Sequence, residues 1–148
     1  VHDLFSLLAS ISSTSITITQ QHILLIEDDQ WLSDSYAAML SAAGYSTQTV
    51  TSAHVAMKLI DKKLPDLIVA DVMLGDHNTF TLFHELQSYD DTANIPIVLC
   101  TGVDTEQLSQ ADLKHYGIVQ VFNKATLTPD QLVMAAQEFI DTKGKVGR

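Results

Sequence analysis

The stretch Pro65-Asp-Leu-Ile-Val-Ala-Asp71-Val-Met-Leu places a carboxylate, Asp71, at the end of a short apolar run. Three other apolar runs in the chain also end on reactive polar residues. These runs and the residues that close them are 22–26 with Glu27 and Asp28, 95–100 with Thr101, and 118–123 with Lys124. Carboxylates, a hydroxyl and an ammonium group are thus delivered from the ends of segments that read as strands.

From residue 22 onward, the apolar runs alternate with helical patterns. This alternation is typical of βα units that feed a parallel sheet, and right-handed crossovers place the helices on both of its faces. The predicted strands are 22–27, 46–50, 66–71, 95–100 and 118–122, and the predicted helices are 30–43, 52–63, 80–89, 104–115 and 128–141. The sequence therefore predicts an α/β protein with a doubly wound, five-stranded parallel sheet and five helices.

Side-chain patterns add detail to these elements. Strand 46–50 is the most polar and is predicted to lie at an edge of the sheet. Predicted helix starts have Ser52, Asp104 and Thr128 as N-caps and Pro129 at a first helical position, where its missing N–H does no harm. Helix 30–43 is predicted to bury one face, formed by Trp31, Leu32, Tyr36, Met39 and Leu40.

Composition limits the possible classes of protein. The 148 residues, 46% apolar and 18% charged, fit one folded domain. The net charge is −10 and the cations form no stripe, which argues against nucleic-acid binding by this chain alone. No apolar run approaches the roughly 20 residues that span a bilayer. The single cysteine, Cys100, excludes an internal disulfide and is expected in the core, so a reducing, cytoplasmic location is predicted.

Residues 1–20 fall outside the alternating pattern, and much of this segment is rich in Ser and Thr. They are predicted to be an N-terminal extension or linker, and an added strand or a dimer contact is the alternative. The domain proper is predicted over 21–141, followed by a C-terminal tail over 142–148.

Ligands of parallel sheets bind outside the carboxyl ends of the strands. The reactive residues expected at that edge are Glu27, Asp28, Asp71, Thr101 and Lys124. Three carboxylates in one pocket repel one another unless a cation is present, and Mg²⁺ suits an all-oxygen site. A carboxylate beside Mg²⁺ can attack phosphorus to give an aspartyl phosphate, while an ammonium and a hydroxyl meet the phosphoryl oxygens. The pattern therefore predicts a phosphoryl-transfer site.

At these residues the chain resembles the receiver domain of two-component response regulators, the CheY-like family. The matching features are the acidic pair after Ile-Leu-Leu-Ile, the run that ends at Asp71, Thr101 five residues after Pro96, and Lys124 seven residues after Gly117. The resemblance covers about residues 21–141 and implies a flavodoxin-like strand order, 2-1-3-4-5.

The resemblance implies a role for each of these residues. Asp71 would accept a phosphoryl group from a histidine kinase or a histidine phosphotransfer protein, and Thr101 and Lys124 would engage that group. Asp28 would bind Mg²⁺ directly and Glu27 mainly through water. The implied metal ligands are Glu27, Asp28, Asp71 and the backbone carbonyl of Met73. Asp29 would lie just outside this set, as the N-cap of the first helix.

The resemblance also implies how such a domain works. It would be a signalling module with self-catalysed phosphotransfer and autodephosphorylation, not a turnover enzyme. Phosphorylated receivers often pair as homodimers, and the face implied here consists of helix 104–115, strand 118–122 and helix 128–141.

Four positions depart from the family's pattern. Gly75 and Thr79 stand where the loop after the acceptor usually has Pro and then Gly. Ala125 replaces the proline of an often cis Lys-Pro step, and because cis before a non-proline costs about 2.5–4 kcal/mol, a trans bond is predicted. Val121 replaces an aromatic switch residue, and Phe122 is one residue out of phase in a period-2 strand. A weaker or rerouted response at the signalling face is therefore expected.

Three alternative functions are weighed against this prediction. A receiver that serves as a phosphate sink or a constitutive docking module is favoured by Val121. A phosphatase of the haloacid dehalogenase type needs a second acid two residues after its nucleophile, where this chain has Met73. A flavodoxin-like cofactor carrier needs a phosphate-cradling loop of Gly, Ser and Thr, and none follows the first strand.

Overall fold

The strand order defines the architecture. The computed structural model describes residues 20–74, 77–102 and 109–146, with side chains over 20–72, 79–102 and 109–140. Five parallel strands form one sheet: β1 (His22–Ile26), β2 (Ser46–Val50), β3 (Leu67–Ala70), β6 (Ile97–Thr101) and β7 (Ile118–Asn123). Their order, β2-β1-β3-β6-β7, is 2-1-3-4-5 when these five are counted alone. The predicted fold class is confirmed, and β2 is an edge strand as predicted.

A short antiparallel hairpin follows β3 and was not predicted. Its strands are β4 (Met73–Leu74) and β5 (His77–Asn78), with Met73 opposite Asn78 and Leu74 opposite His77. Strands of two residues are too short to produce a periodic pattern, which explains why the sequence did not reveal them.

The helices are α1 (Gln30–Ala42), α2 (Ala53–Lys62), α3 (Thr79–Gln87), α4 (Gln110–Tyr116) and α5 (Pro129–Val146). Four of them agree with the predicted helices to within two residues at their starts. Helix α5 continues past its predicted end at residue 141, so part of the predicted tail 142–148 is helical. Residues 1–19 lie outside the described part of the chain, and the predicted domain boundaries stay a prediction.

Side-chain caps fix where the helices begin. Asp29 accepts a hydrogen bond from the Leu32 N–H, and Ser52 accepts one from the Val55 N–H. Thr128 forms a reciprocal pair with Gln131, in which each side-chain oxygen accepts the other residue's backbone N–H. These three N-caps were predicted correctly, as was Pro129 at the first helical position.

The prediction for α4 was wrong at its start. Ser109 has extended backbone angles, φ −76° and ψ 165°, so a continuous helix over 104–115 is not formed. The Ser109 hydroxyl and the Asp112 carboxylate instead accept each other's backbone N–H in a capping box. The predicted cap Asp104 lies outside the described residues.

The sheet separates two apolar clusters. Side chains alternate along a strand, so Leu24 and Ile26 face one cluster while Ile23 and Leu25 face the other. The first cluster is covered by α2, α3 and α4, and the second by α1 and α5. The free thiol of Cys100 is buried in the second cluster, as expected for a small core residue.

The buried face of α1 differs from the prediction. Tyr36 and Leu40 are buried together with Ser33, whereas Trp31 is 76% exposed. Trp31 precedes Leu40 by nine residues, and at about 100° per residue that separation turns it to the opposite side of the helix. Including Trp31 in the apolar face was therefore wrong.

Helix α4 is the least embedded of the five helices in the described part of the chain. It has seven residues, none of them buried, and only Leu113 and Tyr116 pack partly against the first cluster. The Gln87 amide ties it down, because its Nε2 donates to the Tyr116 carbonyl at 3.3 Å. Gly117 ends the helix with φ 78°, a left-handed conformation that glycine adopts without strain.

Candidate functional site

The carboxyl edge of the sheet brings the predicted residues together. Asp71 directly follows β3, the pair Glu27-Asp28 follows β1, and Lys124 follows β7. Ligand oxygens of Glu27, Asp28 and Asp71 lie within 4.8 Å of one another. The Lys124 Nζ donates to Asp71 Oδ2 at 2.5 Å and forms an ion pair with Glu27 Oε1 at 2.6 Å. Residues separated by nearly a hundred positions thus form one cluster.

Backbone hydrogen bonds hold the ends of the strands in place. The Asp71 N–H donates to the Ile26 carbonyl at 3.0 Å, and the Glu27 N–H donates to the Val50 carbonyl at 3.0 Å. The parallel ladders therefore continue one residue past the strands that carry the carboxylates. These bonds position each acid from its backbone, before any side-chain contact is made.

The cluster combines buried and exposed acids. Glu27 and Asp71 are each 4% exposed, Lys124 is 19% exposed, and Asp28 lies at the solvent-exposed rim. Burial raises the pKa of the Glu27 carboxyl, although the hydrogen bond from Lys124 opposes that rise. For Lys124, burial acts to lower the pKa, but the bonds to Asp71 and Glu27 outweigh it and raise the pKa. The ammonium therefore stays charged between the two buried carboxylates.

Thr101 is the last residue of β6 and is buried. Its carbonyl accepts the Lys124 N–H at 3.0 Å, which links the β6 terminus to the residue that supplies the ammonium. Met73 lies in β4, two residues after Asp71. The roles suggested for the Thr101 hydroxyl and the Met73 carbonyl stay predictions.

Thr79 takes part in the site, although the sequence marked it only as a departure from the family pattern. Its hydroxyl donates to the Asp71 backbone carbonyl at 3.0 Å, and its side chain is buried. A hydroxyl eight residues beyond Asp71 carries no sequence signal for this bond, because the bond depends on the path of the intervening hairpin.

Tyr36 and Cys100 are buried on the α1 side of the sheet, close enough to the charged residues of the site to be affected by them. Burial raises the pKa of Tyr36 to about 12, and the nearby Cys100 and Glu27 contribute to the shift. Burial likewise raises the pKa of Cys100 to about 12, with a further contribution from Glu27. Both groups are therefore neutral at physiological pH, and Cys100 is a protonated core thiol.

The chain after Lys124 turns without a cis bond. None of the described peptide bonds is cis, so the trans bond predicted at Ala125 is confirmed. The Asn123 side chain accepts the Ala125 N–H at 2.8 Å, and its carbonyl accepts the Leu127 N–H at 2.9 Å. Asn123 thus organises the turn locally, in the manner of an Asx turn.

Val121 and Phe122 face opposite sides of the sheet. Val121 packs partly against the first cluster and Phe122 against the second. The predicted difference in phase is confirmed, and Phe122 does not substitute for an aromatic residue on the side of Val121. That side has other aromatic rings: Phe80 and Tyr116 lie 5.1 Å apart between centroids.

The donor set fits a hard divalent cation. Three carboxylates with oxygens this close together need a positive charge, and Lys124 supplies only one. Oxygen-only ligation suits Mg²⁺, which is usually held by one or two carboxylates and keeps several waters. Glu27, Asp28 and Asp71 are the side chains that could hold such an ion.

Among the described residues, no helix is both long enough and apolar enough to cross a membrane.

The sequence profile of the response regulator receiver domain matches residues 23–137 of the chain. Receiver domains of this family interact with histidine kinases or phosphotransfer proteins, and they are typically not classical enzymes.

Individual proteins agree with the profile. A DNA-binding dual master transcriptional regulator, RpaA of Synechocystis, is 35% identical over 81 residues, or 55% of this chain and 34% of that protein. An uncharacterized 14.6 kDa protein of Leptolyngbya boryana is 26% identical over 83% of this chain and 92% of its own length. The chain thus spans about a third of the Synechocystis regulator.

A crystal structure of a CheY-like receiver domain protein from Methanospirillum hungatei superposes with a TM-score of 0.76. That match covers 86% of this chain and 98% of the other, at 20% identity, and it supports the fold alone. The profile match, which covers well over half of the chain, carries the assignment to a family. The chain belongs to the response regulator receiver domain family of two-component systems.

Proposed function

We propose that this receiver domain takes a phosphoryl group onto Asp71, from a histidine kinase or a histidine phosphotransfer protein, at a site that holds Mg²⁺. The observation that carries the proposal is the shared contact of Lys124 with the Asp71 and Glu27 carboxylates. A cation bonded to the acceptor is already in place to meet a phosphoryl oxygen. The buried position of Asp71 also shields an acyl phosphate from bulk water.

The transfer step follows from the chemistry of the residues. An Asp71 carboxylate oxygen forms a bond to phosphorus while the bond from phosphorus to the donor imidazole nitrogen breaks. The imidazole takes that electron pair and later a proton. Lys124, and in this proposal the Thr101 hydroxyl, stabilise the negative charge on the transferred group.

The metal would be held by Glu27, Asp28, Asp71 and the Met73 carbonyl. When bound, it would neutralise charge on the acids and on the phosphoryl oxygens. Asp28 is exposed and Glu27 is buried; direct ligation by Asp28 and water-mediated ligation by Glu27 are proposed from the family resemblance. A constitutive docking module would not need these acids and Lys124 to converge on one cluster, so that alternative is not favoured.

We further propose that the phosphorylated domain forms a homodimer through the face of α4, β7 and α5. Val119 of β7 is exposed there, and an open groove runs between α4 and β7, lined in part by Leu113 and Val121. Analytical ultracentrifugation before and after phosphorylation would test this proposal, with a purely monomeric phosphorylated protein as the contrary result. The cytoplasmic location stays a prediction.

The acceptor role is tested by intact mass spectrometry after incubation with acetyl phosphate and Mg²⁺. The wild type is expected to gain the mass of one phosphoryl group, and Asp71→Asn none, because the amide is a poor nucleophile. Asp34→Asn, a change at an exposed position on α1, is the matched control and should behave as the wild type. Equal gain in Asp71→Asn, or no gain in the wild type, contradicts the proposal.

A further inference from the structure

Thr79 links the beginning of α3 to the backbone of the proposed acceptor, Asp71. It is the first residue of α3, its side chain is 0% exposed, and its hydroxyl donates to the Asp71 carbonyl at 3.0 Å. A buried hydroxyl is costly to leave without a hydrogen-bond partner. The contact therefore holds Thr79 and the Asp71 peptide group together.

The bond closes a loop that contains a proposed metal ligand. Met73 pairs with Asn78 in the β4–β5 hairpin, and Asn78 is the residue before Thr79. The Asp71 peptide is also fixed on its other side, because its N–H donates to the Ile26 carbonyl at 3.0 Å. The backbone from Asp71 to Met73 is thus held at both ends, by the hydrogen bonds of Asp71 and by the pairing of Met73 with Asn78.

We propose that Thr79 is a positioning residue for the cation site, because its hydroxyl fixes the Asp71 backbone and, through the hairpin, the position of the Met73 carbonyl. This inference rests on the proposed function of the site. Groups that orient metal ligands from behind contribute roughly 10–100-fold to metal affinity in other proteins. Thr79 differs from them in acting on backbone, so its loss changes the ligand geometry without changing the charge of the site.

The experiment measures the Mg²⁺ dissociation constant by isothermal titration calorimetry, together with urea unfolding of the Mg²⁺-free protein. Thr79→Val keeps the side-chain shape and removes the donor, and Thr79→Ser keeps the donor. Thr79→Val is expected to weaken Mg²⁺ binding by roughly tenfold, and Thr79→Ser should stay close to the wild type. Should Thr79→Val fail to fold, Thr79→Ala against Thr79→Ser gives the same comparison.

Thr92→Val is the matched control. Thr92 is 5% exposed and its hydroxyl also donates to a backbone carbonyl, that of Leu86, at 2.5 Å. Because Leu86 lies near the C-terminal end of α3, away from the cluster, Thr92→Val should lose stability with no change in Mg²⁺ affinity. A purely structural role for Thr79 would give this same result.

The outcomes separate the inference from the proposed function. The positioning role is supported if Thr79→Val binds Mg²⁺ more weakly than the wild type, while Thr79→Ser and Thr92→Val bind it as tightly as the wild type does. If the wild type binds Mg²⁺ and gains a phosphoryl group while Thr79→Val binds equally well, the positioning role alone is refuted. A wild type that neither binds Mg²⁺ nor gains a phosphoryl group overturns both.

Discussion

Removal of the Lys124 ammonium gives the sharpest energetic test of the site. In Lys124→Met, the buried carboxylates of Glu27 and Asp71 lose the cation that lies 2.6 and 2.5 Å from them. Breaking a buried ion pair by removing one partner costs roughly 3–5 kcal/mol. The Lys124 side chain is 19% exposed and Asp28 lies at the open rim, so solvent reaches part of the cluster. We therefore expect the low end, about 3 kcal/mol.

Two further effects follow from the same geometry. Burial raises the pKa of Glu27, and without Lys124 the opposing hydrogen bond is lost, so that pKa rises further. An acid whose pKa is higher in the folded than in the unfolded state stabilises the fold when the pH is below its unfolded-state pKa. That stabilisation is lost as the pH rises through its folded-state pKa. The destabilisation of Lys124→Met is therefore largest at neutral pH and fades in acid.

Mg²⁺ should restore more stability to Lys124→Met than to the wild type. In the wild type, the cation must compete with the ammonium for oxygens of Glu27 and Asp71. Tenfold tighter binding in the variant corresponds to about 1.4 kcal/mol of extra stabilisation once the metal is in excess.

The assays are urea unfolding, which gives the free energy of unfolding, and thermal unfolding, each at neutral pH with a chelator and then with excess Mg²⁺. A chain of this size loses about 2–4 °C of melting temperature per kcal/mol, so a fall of about 6–12 °C is expected without metal. Lys58→Met is the control, because Lys58 is exposed on α2, and it should change little. A loss below about 1 kcal/mol, the range of exposed ion pairs, would refute the reasoning, as would equal rescue of variant and wild type by Mg²⁺.

Two other predictions concern positions away from the site. Burial, followed by the charge of Lys63, lowers the pKa of His22, so its contribution to stability is complete above its unfolded value of 6.5 and is lost as the pH falls through the lowered value. The urea midpoint of His22→Gln should therefore fall less than that of the wild type between about pH 7 and about pH 5, and parallel losses would contradict this. Gly44→Ala and Gly117→Ala should each cost about 1–2 kcal/mol in thermal unfolding, because both have positive φ. Gly117→Ala should cost more, since its Cβ would lie 2.7 Å from the Gln87 amide whereas Gly44 has open space, and equal costs would exclude that steric contribution.

The sequence predicted the sheet because its apolar runs are long enough to display a pattern. The run that ends at Asp71 identified β3, and parallel strands bring their ends to one edge without any further information. The same logic placed Glu27 and Lys124 beside Asp71 before any distance was known.

The remaining features depend on contacts that local pattern does not encode. The two-residue strands at Met73 and His77 show no period, and Thr79 meets Asp71 only because the hairpin between them doubles back. Trp31 was wrongly predicted to be buried, because a large aromatic residue near apolar neighbours suggests burial. Its angular position on the helix instead turns it toward solvent. The start of α4 was misplaced because Asp104 and Ser109 are both good caps, and sequence alone does not rank them.

Helix α4 packs only lightly against the rest of the described fold, so few contacts oppose a change in its position. None of its seven residues is fully buried, so the apolar surface that a shift of this helix would uncover is mainly that of Leu113 and Tyr116. The hydrogen bond from Gln87 to Tyr116 adds a restraint of about 1 kcal/mol. One charge-assisted hydrogen bond gained elsewhere supplies about 1.5–3 kcal/mol, which exceeds that restraint. The described contacts that hold α4 are therefore few: the hydrogen bond from Gln87 and the partly buried side chains of Leu113 and Tyr116.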